Sequence, residues 1–484
     1  MMSQVRSTML RGAALAAVLA LAFLVRSLYA VDQAPVMYSP EQTGTRMAQR
    51  YDDTAVAILA GDGILWPRMR DKQRTGLLAR PPGYALYLVA VYRTLGRSFL
   101  AAQLVQNLLT SIACVLLVLA ASRLASWPIG LVAGFVAALS PQLGYVSALV
   151  LPDALSALPL LLALLLLARA HPDGDAPWWT SAMAGVLVGM GVWLRPNVVL
   201  LPPFLSLVIL LVSRDRKRGL VHALALSLAA VLVVIPITIR NYVVFGEFVP
   251  VSLNGGLTLW QGVADAGGRE VGARRHDTLV AEEEAVRYDR PDYRDWWAEP
   301  DGIWRDNDRY RRSVEVIRAN PGRYARVMLG RMGEMLNYAS GEAPLVLREA
   351  PAPPSFEGGM RGRDGALAPP RDEGRFLAPG RLAAPLRPLV AALQPLLCAV
   401  LLPLVVAGAL ALAWRDWRRA LLLLAVSLYY LLSESPFIYE WRVVAPMHHG
   451  LLAAAGAALV WGVSLAFRSL KRGRRRGPGG ETAS

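Results

Sequence analysis

The chain has 484 residues, 55% of them hydrophobic, with 51 Lys and Arg against 36 Asp and Glu for a formal net charge of +15. A mean hydropathy of +0.37 excludes an ordinary soluble domain, whose polar surface must cover its core, and fits a polytopic membrane protein. The two cysteines, Cys114 and Cys398, lie inside apolar runs and read as small buried hydrophobes rather than a disulfide or a metal pair.

Residues 12–30 form the first apolar run, preceded by Arg6 and Arg11. Leu28-Tyr29-Ala30 resembles a signal-peptide cleavage site, but Arg26 stands just before it. A charge there opposes cleavage, so this run is expected to be a retained span. Between it and the next run lies a water-facing stretch, 31–97. Within it Met47, Tyr51, Thr54, Ala55, Ile58 and Leu59 recur at helical spacing, which predicts an amphipathic helix on the membrane surface. Gly61-Asp62-Gly63 ends that helix as a turn. Pro81 and Pro82 suit the first turn of another helix over 82–96, where a missing N–H costs little.

Further apolar runs follow at 98–122, 127–147, 153–169, 178–194, 196–213, 219–238, 385–413, 419–433 and 442–467. Most approach the roughly 20 residues needed to cross hydrocarbon, which predicts about ten spans. Counted from a cytoplasmic N-terminus, every second loop carries basic residues: Arg123, Arg169, Arg214-Asp215-Arg216-Lys217-Arg218 and Arg415-Asp416-Trp417-Arg418-Arg419. The tail, with Lys471, Arg472, Arg474, Arg475 and Arg476, continues the phase. This is the positive-inside pattern. Much of the net charge is therefore a topogenic signal toward anionic lipid, and nucleic acid is not an expected partner. The other face receives two long loops, 31–97 and 239–384. In the second, a helical stretch rich in arginine is expected near 303–338, followed by a Pro/Gly/Ala-rich linker over 343–386.

Ionisable residues are almost absent from the middle of the runs and gather at the ends assigned to the outer face: Asp52, Asp53, Arg80, Asp153, Arg195, Arg240, Glu434, Glu440 and Arg442. At that depth a charge is costly unless paired or functional, and a transporter more often places such groups near the midplane. Arginine forks suit a phosphate, and a carboxylate can take a proton from an attacking hydroxyl. A lipid-linked sugar phosphate needs both. No Gly-rich phosphate loop is present, as fits a donor carried on lipid rather than a nucleotide.

At these residues the chain resembles the GT-C membrane glycosyltransferases, specifically the bacterial group similar to protein mannosyltransferases and lipid A aminoarabinose transferases. The matching stretches are Tyr51-Asp52-Asp53-Thr54-Ala55 to Gly61-Asp62-Gly63, Arg80-Pro81-Pro82-Gly83-Tyr84, Gln106 and Pro152-Asp153-Ala154-Leu155. Leu194-Arg195-Pro196, Ile239-Arg240-Asn241-Tyr242, Asn254-Gly255-Gly256 and Glu440-Trp441-Arg442 with Pro446 follow. The resemblance implies an all-α polytopic GT-C-like fold and an integral membrane glycosyltransferase in a bacterial inner membrane, active on its periplasmic side. It implies a polyprenyl-phosphate sugar donor, an inverting transfer to a hydroxyl of a cell-envelope acceptor (lipid, polysaccharide or protein), and an acid in the first outer loop as base. Relatives carry that acid about one turn before the tyrosine, where this chain has Arg46 and Met47. Asp52 and Asp53 are the nearest acids, and Glu41 is the fallback. Asp153 would be the second acid, orienting the acceptor or helping to bind a divalent metal ion, which some relatives use and others do not. Arg80, Arg195, Arg240 and Arg442 are the candidates for holding the donor phosphate.

The expected organisation is an N-terminal catalytic membrane module over 1–240, an outer loop region over 241–384, and C-terminal membrane helices with a basic tail over 385–484. Two other classes compete with the enzyme. One is a flippase or other transporter of lipid-linked sugars, the other a non-catalytic relative serving as a membrane assembly component.

Overall fold

A computed structural model describes residues 2–37, 43–61, 78–294, 296–337, 387–438 and 440–475. The expected linker over 343–386, the Asp62-Gly63 half of the turn, Glu41 and the end of the basic tail lie outside these residues. The described residues are helical, without strands, as the hydropathy pattern requires. In hydrocarbon every backbone N–H must find a partner within its own segment, and a helix supplies one.

Helices α1 (Met2–Met37), α4 (Phe99–Leu124), the bent pair α5 (Trp127–Leu139) and α6 (Pro141–Ala148), and α8 (Ala157–Ala170) cover the first four apolar runs, with the short α7 (Pro152–Leu155) leading into α8. Helices α9 (Trp178–Leu194), α10 (Leu201–Val212), α11 (Arg216–Phe245), α16 (Arg387–Glu434) and α17 (Ala445–Arg475) cover the rest. Among the described residues six helical segments, α7 and α8 counted as one, are long and apolar enough to cross a membrane, and the pair α5–α6, bent by 54°, makes a seventh if it is one span. Helices α9 and α10 are apolar but shorter. Helix α16 is broken at Asp416, whose φ of −158° is not helical. Its side chain accepts from the backbone N–H groups of Arg418 and Arg419, both at 3.1 Å, and so caps the second half as a new helix. That break separates the runs 385–413 and 419–433. Small residues set the close crossings: a Cβ on Gly185 of α9 would lie 2.1 Å from the carbonyl oxygen of Leu226 on α11, the packing mode typical of membrane helices.

The basic loops meet at one end of the bundle. Asp173, between α8 and α9, pairs with Arg214 at 2.8 Å and Arg419 at 3.2 Å, and Asp175 with Arg218 at 3.1 Å. The other end carries the helices of the two long loops. Helix α2 (Thr43–Leu59) buries Ala48, Tyr51, Asp52 and Ala55, and α3 (Gly83–Leu95) packs beneath it through Tyr84, Leu88, Val91 and Tyr92. Above the bundle sit α12 (Gly255–Val263), α13 (Asp277–Arg287), α14 (Gly302–Ala319) and α15 (Pro321–Met335). The helical stretch expected near 303–338 is present as two helices, divided at Asn320-Pro321, because proline lacks the N–H to continue one helix and suits the first turn of the next.

One buried carboxylate organises this outer unit. Glu284 of α13 accepts from Arg305 (2.9 Å), Arg309 (2.7 Å at each oxygen) and Arg312 (3.1 Å), all on one face of α14. The spare guanidinium N–H groups hold the carbonyls of Trp296, Glu299 and Trp297, and Arg312 lies 4.4 Å over the Trp260 ring of α12. Asn254-Gly255-Gly256 is explained by the same packing. A Cβ on Gly255 would strike the Tyr310 hydroxyl at 1.7 Å, and one on Gly256 the Asp306 carbonyl at 2.0 Å. Asp306 accepts from the N–H groups of Gly256 and Leu257 at 3.2 and 3.0 Å, satisfying orphan donors of the α12 N-terminus.

Candidate active site

Asp153 and Arg195 stand at the same end of neighbouring helices, one just before α8 and the other just after α9. They form a direct ion pair in which the Asp153 side chain is 0% and Arg195 19% exposed. Burial draws the Arg195 pKa down. The Asp153 carboxylate, with Tyr51 and Glu440, outweighs it and holds the guanidinium well above its ordinary pKa. Only one oxygen of Asp153 is used: Oδ2 is buried and has no hydrogen-bond partner among the described residues. A buried acceptor left open is costly.

The segment before Asp153 is fixed by Gln106. Its amide donates to the carbonyls of Ser147 (2.9 Å) and Leu149 (2.7 Å) and accepts from the Tyr84 hydroxyl at 2.8 Å. Tyr84 meets Tyr51 edge to face at 5.1 Å, and the Arg80 guanidinium lies 5.0 Å over the Tyr51 ring. Burial draws the Arg80 pKa down; Tyr51 opposes this, Arg195 and Arg442 add to it, and Asp277 opposes it. Arg442 pairs with Glu440, its Nε donating at 2.6 Å. Asn197, two residues after Arg195, donates to Glu434 at 2.9 Å, tying the end of α16 to the same place. Asp153, Arg195, Arg80 and Arg442 are thus brought together, with Tyr51 and Glu440 beside them.

Three expected site residues are engaged differently. Asp52, 2% exposed, accepts from the Tyr92 hydroxyl at 2.8 Å and from Arg97 Nε at 3.1 Å, and Arg97 Nη2 binds its second oxygen. One helical position from Tyr51, its side chain turns to α3 instead of to Asp153. Asp53 is exposed; partial desolvation and the adjacent Asp52 charge raise its pKa. Arg240 donates to the neighbouring Asn241 at 2.8 Å and lies over Phe245. Asn241 itself, fully buried, brackets the chain by donating to the Val249 and Val251 carbonyls. We therefore expect Asp52→Asn and Arg97→Ala to lower the melting temperature alike, each weakening the α2–α3 junction by about 1.5–3 kcal/mol. They should also slow any activity to a similar degree. A proton-accepting role for Asp52 would instead make Asp52→Asn far more damaging than Arg97→Ala.

Beside this polar cluster lies an apolar cavity of about 550 Å³, lined by Gly83, Leu155, Leu162, Met190, Trp193 and Leu194 among others. Gly83 follows Arg80 by three residues and Leu194 precedes Arg195 by one. Met190 is 51% exposed on the bundle surface, so the cavity reaches the lipid-facing side. A divalent metal fits the cluster less well. Among the described residues no three His, Cys, Asp or Glu come together as ligands, and Asp153, Glu434 and Glu440 are each held by a separate partner.

Tyr51 and Arg97 were not singled out for the site by sequence reasoning. Tyr51 carried a signal, since it stands inside the quoted motif beside the two acids. Arg97 carries none, since no motif includes it.

The family model described as dolichyl-phosphate-mannose-protein mannosyltransferase matches residues 79–239, about a third of the chain, in agreement with the resemblance drawn from the sequence. The matched stretch contains Arg80, Gln106, Asp153 and Arg195 and stops one residue before Arg240. No curated protein matches significantly. Among solved structures, the chain is similar to the apo oligosaccharyltransferase of Archaeoglobus fulgidus, with 14% identity, 97% of this chain and 52% of that one covered, and a TM-score of 0.49. It is also similar to the oligosaccharyltransferase AglB from Archaeoglobus fulgidus in complex with an inhibitory peptide and a dolichol-phosphate, with 14% identity, 84% and 44% covered, and a TM-score of 0.42. The chain spans about half the length of these structures.

Proposed function

We propose, taking the partial match to the mannosyltransferase family as premise, that this chain is a membrane glycosyltransferase that moves a sugar from a polyprenyl phosphate to an acceptor hydroxyl. The observation that carries this is the juxtaposition of the buried Asp153–Arg195 pair, Arg80 and Arg442 with an apolar cavity that reaches the bundle surface. The prenyl chain enters the cavity from the lipid, burying apolar surface at roughly 25 cal/mol per Å². Its phosphate then stands among guanidinium groups, each able to give two parallel hydrogen bonds.

We assign the proton acceptor to Asp153. Arg195 holds one of its oxygens and leaves Oδ2 for the acceptor hydroxyl. The hydroxyl oxygen attacks the anomeric carbon while its proton passes to Oδ2, and the carbon–oxygen bond to the phosphate breaks on the opposite face. The configuration inverts, and the polyprenyl phosphate leaves with its added charge against Arg80 and Arg442. The leaving group needs no proton, so a single acid suffices, unlike glycosidases with their pair. In this reading the site faces the side opposite the basic loops, the outer face by the charge pattern.

Mass spectrometry of glycolipids and surface glycans from a deletion strain and its parent tests this. The expected result is the loss of one sugar mass from an envelope component, together with accumulation of the polyprenyl-phosphate sugar. An unchanged glycan profile, with the lipid-linked sugar merely shifted between leaflets, would overturn it in favour of a transporter.

A further inference from the structure

Arg26, the charge inside the first apolar run, takes no part in the site. It lies within the first membrane span and is 1% exposed. Its Nη1 donates to the Ala22 carbonyl one turn earlier at 3.3 Å, and its Nη2 to Cys114 Sγ of α4 at 3.2 Å. Nε is buried without a partner, and no carboxylate pairs with Arg26 among the described residues. An arginine does not shed its proton in a protein, and a charge at this depth is costly unless it is paired.

A buried cavity of about 10 Å³ lies against it, lined by Arg26, Thr110, Ser147, Ala154, Ala445 and His449 among others. No acid is among the lining residues. The two hydroxyls are spent on backbone carbonyls, Thr110 on Asn107 at 3.2 Å and Ser147 on Leu143 at 2.7 Å. The guanidinium is therefore the charged donor of this cavity. The space admits one water-sized species and is too small for a phosphate or a sulfate. A water would leave the guanidinium charge uncompensated inside the bundle. A monatomic anion would balance it and accept charge-assisted hydrogen bonds.

We infer that Arg26 holds a halide, chloride by its size and charge, in this cavity. Ala154 follows Asp153 directly, and Ala445 follows Arg442 by three residues. The ion thus stands behind both arms of the site, where residues of α1, α4, α6 and α17 meet, and it fastens them from within. It touches no substrate, so the inference holds whatever the site transfers.

The test is thermal unfolding of the full chain in nanodiscs, in sodium chloride, bromide or gluconate at equal ionic strength. Chloride and bromide are expected to raise the melting temperature saturably, by about 2–4 °C over gluconate. Arg26→Gln should melt at the same temperature in all three salts. It should be less stable than the wild type in chloride and at least as stable in gluconate, where the wild-type guanidinium lacks its counter-ion. Crystals of the wild-type chain grown in bromide should show anomalous scattering against the Arg26 guanidinium, a result that needs no variant to fold. A wild-type melting temperature indifferent to halide, an Arg26→Gln chain with the same halide dependence, or a cavity without bromide would each overturn the inference.

Discussion

Asp153→Asn is expected to reduce sugar transfer by about 10²–10⁴, the usual contribution of a positioned proton acceptor, while polyprenyl phosphate binds at least as tightly as before. The two effects separate because of the ion pair. Asparagine keeps the shape of the side chain but removes the charge that engages Arg195. The buried guanidinium is then free to turn to the phosphate. Turnover of a polyprenyl-phosphate-linked sugar by the full chain in nanodiscs, measured beside binding of the sugar-free lipid, gives both quantities. A parallel loss of binding and turnover would mean that Asp153 holds the site together and does not take the proton. Turnover equal to wild type would remove it from the mechanism.

Glu284→Ala should be the most destabilising single change in the outer unit. The side chains of Glu284, Arg305 and Arg309 are 0–1% exposed, so the variant strands two buried guanidinium groups without the carboxylate they share, while Arg312 keeps Asp308 at 2.8 Å. Removing one partner of a buried ion pair typically costs about 3–5 kcal/mol, and here the same guanidinium groups also hold the carbonyls of residues 296–299. Hydrogen exchange should show opening across 277–319, while the membrane helices stay protected. Protection unchanged in 277–319 would show that the arginines find other partners. The wild-type chain should reproduce part of this effect in acid. Burial pushes Glu284 up, but hydrogen bonds and charge from Arg309 and Arg305 bring it below its ordinary value of 4.5. A lowered folded pKa means that the stabilisation is complete above about pH 4.5 and is lost as the pH falls through the folded value.

What the sequence made legible follows the physics of each region. Hydrocarbon tolerates few polar atoms, so the apolar runs stood out, and a helix occupies each of the ten. Asp153 and Arg195 were visible for the same reason: a charge at the end of a span contrasts with its surroundings. Asp52 shows where that contrast stops helping. Helical spacing placed it beside Tyr51, but whether it meets Asp153 or Arg97 depends on how α2 lies on α3. The outer unit was legible only as rich in arginine. Arg305, Arg309 and Arg312 recur at helical spacing, which marks one face, yet nothing local says that Glu284 sits against that face. The lone Asn320-Pro321 step, by contrast, carries its own chain-break signal, and it divides the helical stretch expected there.

A doorway that opens sideways also sets the units in which this protein experiences its substrate. On the proposed function, Met190 and its neighbours at the mouth of the cavity would admit a molecule already dissolved in the bilayer, so encounters would be counted per area of leaflet and not per volume of buffer. Spreading the same number of donor molecules over more phospholipid should slow the reaction, whereas diluting intact vesicles with buffer should leave it untouched.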